Sequence, residues 1–128
     1  MTEIDEPLTG GWARDVKASS LIPHIPNPLA MDTPNFLVEY GIRVDDQAVV
    51  FHFFSAKDRS TWDPEYRIDE RLRRAIDANF DTRKITCGFA VEMDSFYVIV
   101  GGLGAGPDPW PLVERFLFDV QAPLEAAS

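Results

Sequence analysis

Four glycines, Gly101, Gly102, Gly104 and Gly106, lie between an apolar run and the Asp108-Pro109 pair. A glycine-rich turn before a helix is where backbone amides and a helix N-terminus can hold a phosphate. The spacing here argues against that use. Counting G-x-G-x-x-G from Gly102 puts Pro107 at the third glycine position, and no Lys followed by Ser or Thr completes a P-loop. Asp108 adds a negative charge where the helix would start. The loop therefore reads as a tight connection.

Arg67, Arg71 and Arg74 stand at i, i+4 and i+7, one stripe of a helix, and are the candidate contacts for an anion. The stripe is opposite the apolar positions, so a solvated face is the simpler expectation. Of the two histidines, His52 sits between Phe51 and Phe53, and His24 lies among prolines. There is no His-x-x-x-His pair and, with one cysteine, no CxxC pair, so no metal or other cofactor is expected. Cys87 alternates with Ile85 and Phe89 on an apolar strand face and reads as a small core residue, not a nucleophile. A G-x-S-x-G elbow is absent and Asp94-Ser95 reads as a turn, so no catalytic residue is assigned. Trp62 and Trp110 adjoin predicted helices, whereas Trp12 stands apart from the core segments and is the better candidate for an interface.

The elements that would position these residues follow from periodicity. Phe36, Val38, Tyr40, Ile42 and Val44 alternate with Leu37, Glu39, Gly41 and Arg43, which predicts a strand with one apolar face. Asp45-Asp46 supplies a turn. A second strand over 47–54 is apolar on both faces, with Val49, Phe51 and Phe53 on one side and Val50, His52 and Phe54 on the other. Asp63-Pro64 predicts a helix start, and Ile68, Leu72, Ala75, Ile76, Asn79 and Phe80 fall at helical spacing on one side of it. Strands are expected over 83–93 and 96–100. A last helix, opened by Asp108-Pro109 and closed by Pro123, carries Leu112, Val113, Phe116, Leu117 and Val120. The expected fold is α+β: an antiparallel sheet built from two hairpins in β-β-α-β-β-α order, with helices packed on it.

Residues 1–34 differ from the rest. They hold five of the ten prolines, which exclude a regular helix or a central strand over 21–34. Yet Trp12, Leu21, Ile22, Ile25, Leu29 and Met31 are too apolar for a purely solvated tail. The expectation is an extended Pro-rich arm over 1–34, with a short helix over 12–20, lying on a surface. A single α+β domain over 35–123 and a short tail over 124–128 complete the chain.

With 128 residues, one domain is the natural division. The net charge of -9 disfavours nucleic acid as a partner, which would need a basic patch to displace counterions from phosphates. The charge is uneven. Residues 1–56 carry eight acids and three bases, 57–84 seven acids and eight bases, and 85–128 six acids and Arg115 alone. The longest apolar runs are too short for membrane insertion, and the acidic start is unlike a signal peptide, so a cytoplasmic protein is expected. The element order over 35–121 resembles, in architecture alone, that of the small acidic secretion chaperones of bacteria. No motif accompanies that resemblance, and the N-terminal helix usual in the family is not legible here.

These features favour a non-catalytic protein–protein interaction protein: an adaptor, chaperone or accessory subunit docking through its arm and sheet. The partner would be another protein or a homodimer mate, met by Trp12, Leu21, Ile22, Ile25, Leu29 and Met31. The alternative is a small-molecule-binding protein or enzyme with a pocket between sheet and helices, lined by Tyr40, His52, Phe54 and Tyr97. His52 would then be the first acid–base candidate.

Overall fold

Alternation of apolar side chains decides the sheet, and the computed structural model describes the chain at residues 13–14, 25, 28–44, 47–56, 62–90, 94–103 and 108–124. Six strands form one sheet: β1 (Ala13–Arg14), β2 (Leu29–Asp32), β3 (Phe36–Ile42), β4 (Val49–Ser55), β5 (Ile85–Ala90) and β6 (Ser95–Val100). Two helices, α1 (Ile68–Asn79) and α2 (Trp110–Gln121), complete the described elements with a 3-10 turn at Thr82–Lys84. The order across the sheet is β1-β5-β6-β4-β3-β2. The five strands from β5 to β2 are antiparallel to their neighbours, and β1 adds a two-residue parallel rung beside β5. The class is α+β, as the periodicity implies.

Two parts of the arm differ from expectation. Ala13–Arg14 is strand and not helix, with Ala13 opposite Gly88 and Arg14 opposite Phe89. Leu29–Asp32 joins the sheet, paired with β3 from Leu29↔Tyr40 to Asp32↔Leu37. It is the edge strand of the described sheet, a position compatible with the neighbouring prolines Pro28 and Pro34. Trp12, Leu21, Ile22 and His24 lie outside the described residues, as do Gly104, Gly106 and the remainder of the expected 12–20 helix.

Helix α1 starts later than the Asp63-Pro64 signal implies. The Asp63 carboxylate accepts from the Glu65 amide at 2.9 Å, and its carbonyl accepts from the Tyr66 amide at 3.0 Å. That closes a turn instead of a helix. Arg67 then takes a left-handed backbone with φ of 55°, and regular helix begins at Ile68. At α2 the Asp108 side chain accepts from the Trp110 amide at 3.2 Å, and the Pro109 carbonyl accepts from Leu112 and Val113. The Asp-Pro signal therefore marks α2 within a residue or two.

The sheet buries both faces. On one, Phe36, Val38, Val49, Phe51, Phe53, Cys87, Phe96, Val98 and Val100 pack under Leu72, Ala75 and Ile76 of α1 and Val113, Phe116, Leu117 and Val120 of α2. Phe116 is the centre of this layer: its ring lies 4.8 Å from Phe51, 5.1 Å from Phe80 and 6.3 Å from Phe53. On the other face Ala48, Val50, Tyr97 and Ile99 form a smaller buried cluster, with Ile25 packed on it. Gly41 is required there, because a Cβ at this position would stand 2.5 Å from Cγ2 of Ile25.

Candidate functional site

Strand register decides which polar side chains can meet. β3 and β4 pair Tyr40 with Phe51 and Glu39 with His52. Tyr40 is therefore on the helix-covered face, stacked on Phe51 at 5.9 Å and edge-on to Trp110 at 6.4 Å. His52 and Tyr97 are cross-strand neighbours on the opposite face, and Phe54 shares their side of the sheet. The four residues expected to line one pocket are thus divided by the sheet. A pocket between the sheet and the two described helices does not contain His52, since alternate residues of a strand point to opposite faces.

On its own face His52 makes a specific contact. Its Nε2 lies 2.8 Å from Oγ of Ser95, both groups being buried, and its ring lies 4.2 Å from that of Phe54. Burial holds the imidazole neutral, lowering its pKa to about 4. A hydroxyl beside a neutral imidazole is the pairing of a nucleophile with its base. Ser95 is fully buried, however, and no described cavity is lined by either residue. The pair here joins β4 to β6. Tyr97 is also fully buried, its hydroxyl has no hydrogen-bond partner, and burial pushes its pKa up to about 12. Cys87 sits in the helix-side core, with burial raising its pKa to about 12 against a small opposing effect of Arg73. That is the environment of an inert thiol. Among the described residues no group of three or more His, Cys, Asp or Glu could hold a metal ion.

The arginines do not form a solvated stripe. Arg67 precedes the helix and pairs with Glu70 at 2.5 Å. Arg71 donates from Nε to the Tyr66 carbonyl at 2.7 Å and from Nη1 to the carbonyls of Gln121 and Ala122 at 3.0 and 2.8 Å. Arg74 donates to the carbonyls of Asp119, Ala122 and Pro123 at 2.6, 2.6 and 2.8 Å. The last carbonyls of a helix lack partners within it and carry the negative end of its dipole. Two guanidinium groups from α1 satisfy that end of α2 because the two helices pack side by side. Their donors point at backbone, not at an incoming anion.

The open apolar site lies elsewhere. A groove of about 580 Å³ runs between the first turns of α2 and the β2–β3 edge. Leu29 from β2, Tyr40 and Ile42 from β3, Val44 from the following turn, and Trp110 and Val113 from α2 give its apolar lining. Gln47 and Glu114 are its polar members. The turn is fixed by Arg43 donating to the Ala48 carbonyl at 2.7 Å and Gln47 donating to that of Arg43 at 2.9 Å, with Gln47 at a φ of 61°. Leu29 is 47% exposed and Val44 58%, so two of only three large apolar side chains exposed among the described residues belong to this groove or its rim. The third, Phe118, lies one helical turn beyond Glu114.

Of the residues expected to meet a partner, the structure brings Leu29 into the groove. Met31 is half-buried against the core beside Gln121, and Ile25 packs on the opposite face. Trp110 and Val44 escaped the sequence reading as site residues. Val44 closes an apolar alternation just before a turn, which is the one signal that could have placed it at an open rim. No family model, curated protein or solved structure matches the chain, so the groove's chemistry is what bears on function.

Proposed function

We propose that this chain is a non-catalytic protein–protein interaction protein, an adaptor, chaperone or accessory subunit, that holds a segment of another protein in the groove beside Tyr40 and Trp110. The observation that carries this reading is the pairing of an apolar groove with the outer edge of β2, which no described strand pairs. Solvent-exposed Leu29 and Val44 cost solubility and contribute little to the core, so their presence together at one site favours a contact surface. Trp110 and Tyr40 have the size and rigidity of interface anchors. An edge strand offers unpaired backbone groups to an extended segment.

The test is selection of a random peptide library on the full chain, with counter-selection on Val44→Glu/Trp110→Ala. Enriched peptides should bind the parent chain by fluorescence anisotropy and lose about tenfold or more on the double variant, the loss expected from removing one anchor. No enrichment over the variant would overturn the reading.

A second reading shares the site. The groove's volume falls in the range of small-molecule pockets, and Glu114 and Gln47 could orient a ligand. Under that reading small apolar molecules, but no peptides, would bind the parent chain, and the same double variant would lose that binding.

A further inference from the structure

Resting on the groove reading above, we infer that the partner segment docks as an added strand on the outer edge of β2, and that it alternates apolar and basic residues. β2 ends the described sheet, and no described strand pairs its outer side. Its register places Leu29 and Met31 on the helix side with Tyr40 and Val38, and Ala30 and Asp32 on the far side with Glu39 and Leu37. A strand laid beyond β2 takes the same parity. Every second side chain then stands next to Leu29 at the mouth of the groove, which requires apolar residues. The intervening side chains stand on the far side, beside Ala30 and Asp32.

Carboxylates await them there. Asp32 is the direct neighbour of one such position, and Glu39 lies across the small side chain of Ala30 from the other. Both are exposed, and neither is in a salt bridge among the described residues. A lysine or arginine passing over Ala30 has the length to reach Glu39. Opposite charges on neighbouring strands stabilise pairing, and like charges oppose it.

The wider charge distribution agrees. Eight of the chain's twelve bases lie in residues 57–84, which build α1 and its flanks. The groove and β2 are built from the two acidic parts of the chain, 1–56 and 85–128. A second copy of this chain would bring its own net charge of -9 to the same edge, which disfavours self-pairing and favours a basic partner.

The experiment uses the full chain and four kinds of labelled six-residue peptide, read by fluorescence anisotropy. One alternates valine with lysine and one alternates valine with glutamate. The third has the lysine peptide's composition with its three valines contiguous. The fourth is the lysine peptide N-methylated at alternate residues, in two versions that block one strand edge each. The alternating lysine peptide should bind about tenfold tighter than the glutamate peptide, from two favourable cross-strand pairs replacing two unfavourable ones. The contiguous peptide should bind more weakly, and one N-methylated version should lose binding while the other keeps it. Asp32→Lys/Glu39→Lys, at two exposed positions, should reverse the charge preference with an unchanged circular dichroism spectrum.

Equal binding of the lysine and glutamate peptides, or of the alternating and contiguous ones, would overturn the proposal. So would full binding by both N-methylated versions. If library-selected peptides bind the groove but none of these four does, the partner chemistry is wrong and the groove reading stands. If neither set binds, both fall. A dimer in sedimentation that Leu29→Glu abolishes would make a second copy the occupant and also overturn the proposal.

Discussion

Acid should unfold this protein partly through one histidine. His52 is buried, hydrogen-bonded to Ser95, and held neutral with a pKa of about 4 against an unfolded value of 6.5. The folded state therefore resists protonation over a pH range in which the unfolded chain accepts it. Stability is unaffected above pH 6.5, falls as pH drops from 6.5 toward 4, and levels off below. Integrating that linkage between pH 7 and pH 4.5 gives a loss of about 2 kcal/mol from His52 alone. Carboxylates also contribute in this range, so the measurement is a difference. His52→Phe/Ser95→Ala removes both partners together and leaves neither behind without the other, which keeps the reference folded. Urea unfolding of parent and double variant at pH 7 and pH 4.5 isolates the histidine. The parent should lose about 2 kcal/mol more than the variant over the interval. Equal losses would show that the imidazole protonates in place and that the face carrying Tyr97 and Val50 is wetter than its burial implies.

The core and the helix ends make separate predictions. Phe116→Ala should cost about 3–5 kcal/mol in chemical denaturation, since the side chain is fully buried and its ring packs against those of Phe51 and Phe80. Arg71→Ala should cost about 1–3 kcal/mol by losing charged hydrogen bonds to the end of α2, and Arg71→Lys should recover only part of it because one ammonium cannot replace the guanidinium fork. A loss of less than 0.5 kcal/mol for Arg71→Ala would mean that water serves those carbonyls equally well. Cys87 should stay unreactive toward Ellman's reagent at pH 8 until denaturant is added, and rapid labelling of the native chain would contradict its burial.

Local signals explain what the sequence made legible. The apolar alternations over 36–42 and 49–54 and the helical spacing of Ile68, Leu72, Ala75 and Ile76 depend only on neighbours along the chain. Even the register of the first hairpin was within reach. A two-residue Asp45-Asp46 turn pairs Val44 with Gln47 and hence Tyr40 with Phe51, which already separates Tyr40 from His52. Reading the faces strand by strand, without carrying register through the turn, is what grouped those two residues. The strand at Leu29–Asp32 had a signal as well: it occupies the proline-free stretch between Pro28 and Pro34. Other contacts had none. His52 meets Ser95 only because β6 lies between β4 and β5, and Arg71 and Arg74 reach α2 only because the helices pack side by side. Such pairings between distant segments leave no trace in spacing.

The groove has a geometric origin in the mismatch between two layers. Five antiparallel strands spaced about 4.8 Å apart make a sheet about 24 Å wide. The two described helices, at about 8–10 Å each, cover no more than about 20 Å of it. With α2 seated on β3 and β4 through Phe116 and Trp110, and α1 beside it, the helix layer ends at the β2–β3 edge. Some of that edge had to be left uncovered, and polar side chains would have suited it. Leu29 and Val44 stand there instead, whereas the far side of β2 carries Ala30 and Asp32. The uncovered edge is thus apolar on one side and acidic on the other. Packing against the core accounts for Met31, but Leu29 is 47% exposed past the end of the helices, where a strand arriving from another chain would meet an apolar side and an acidic side in alternation.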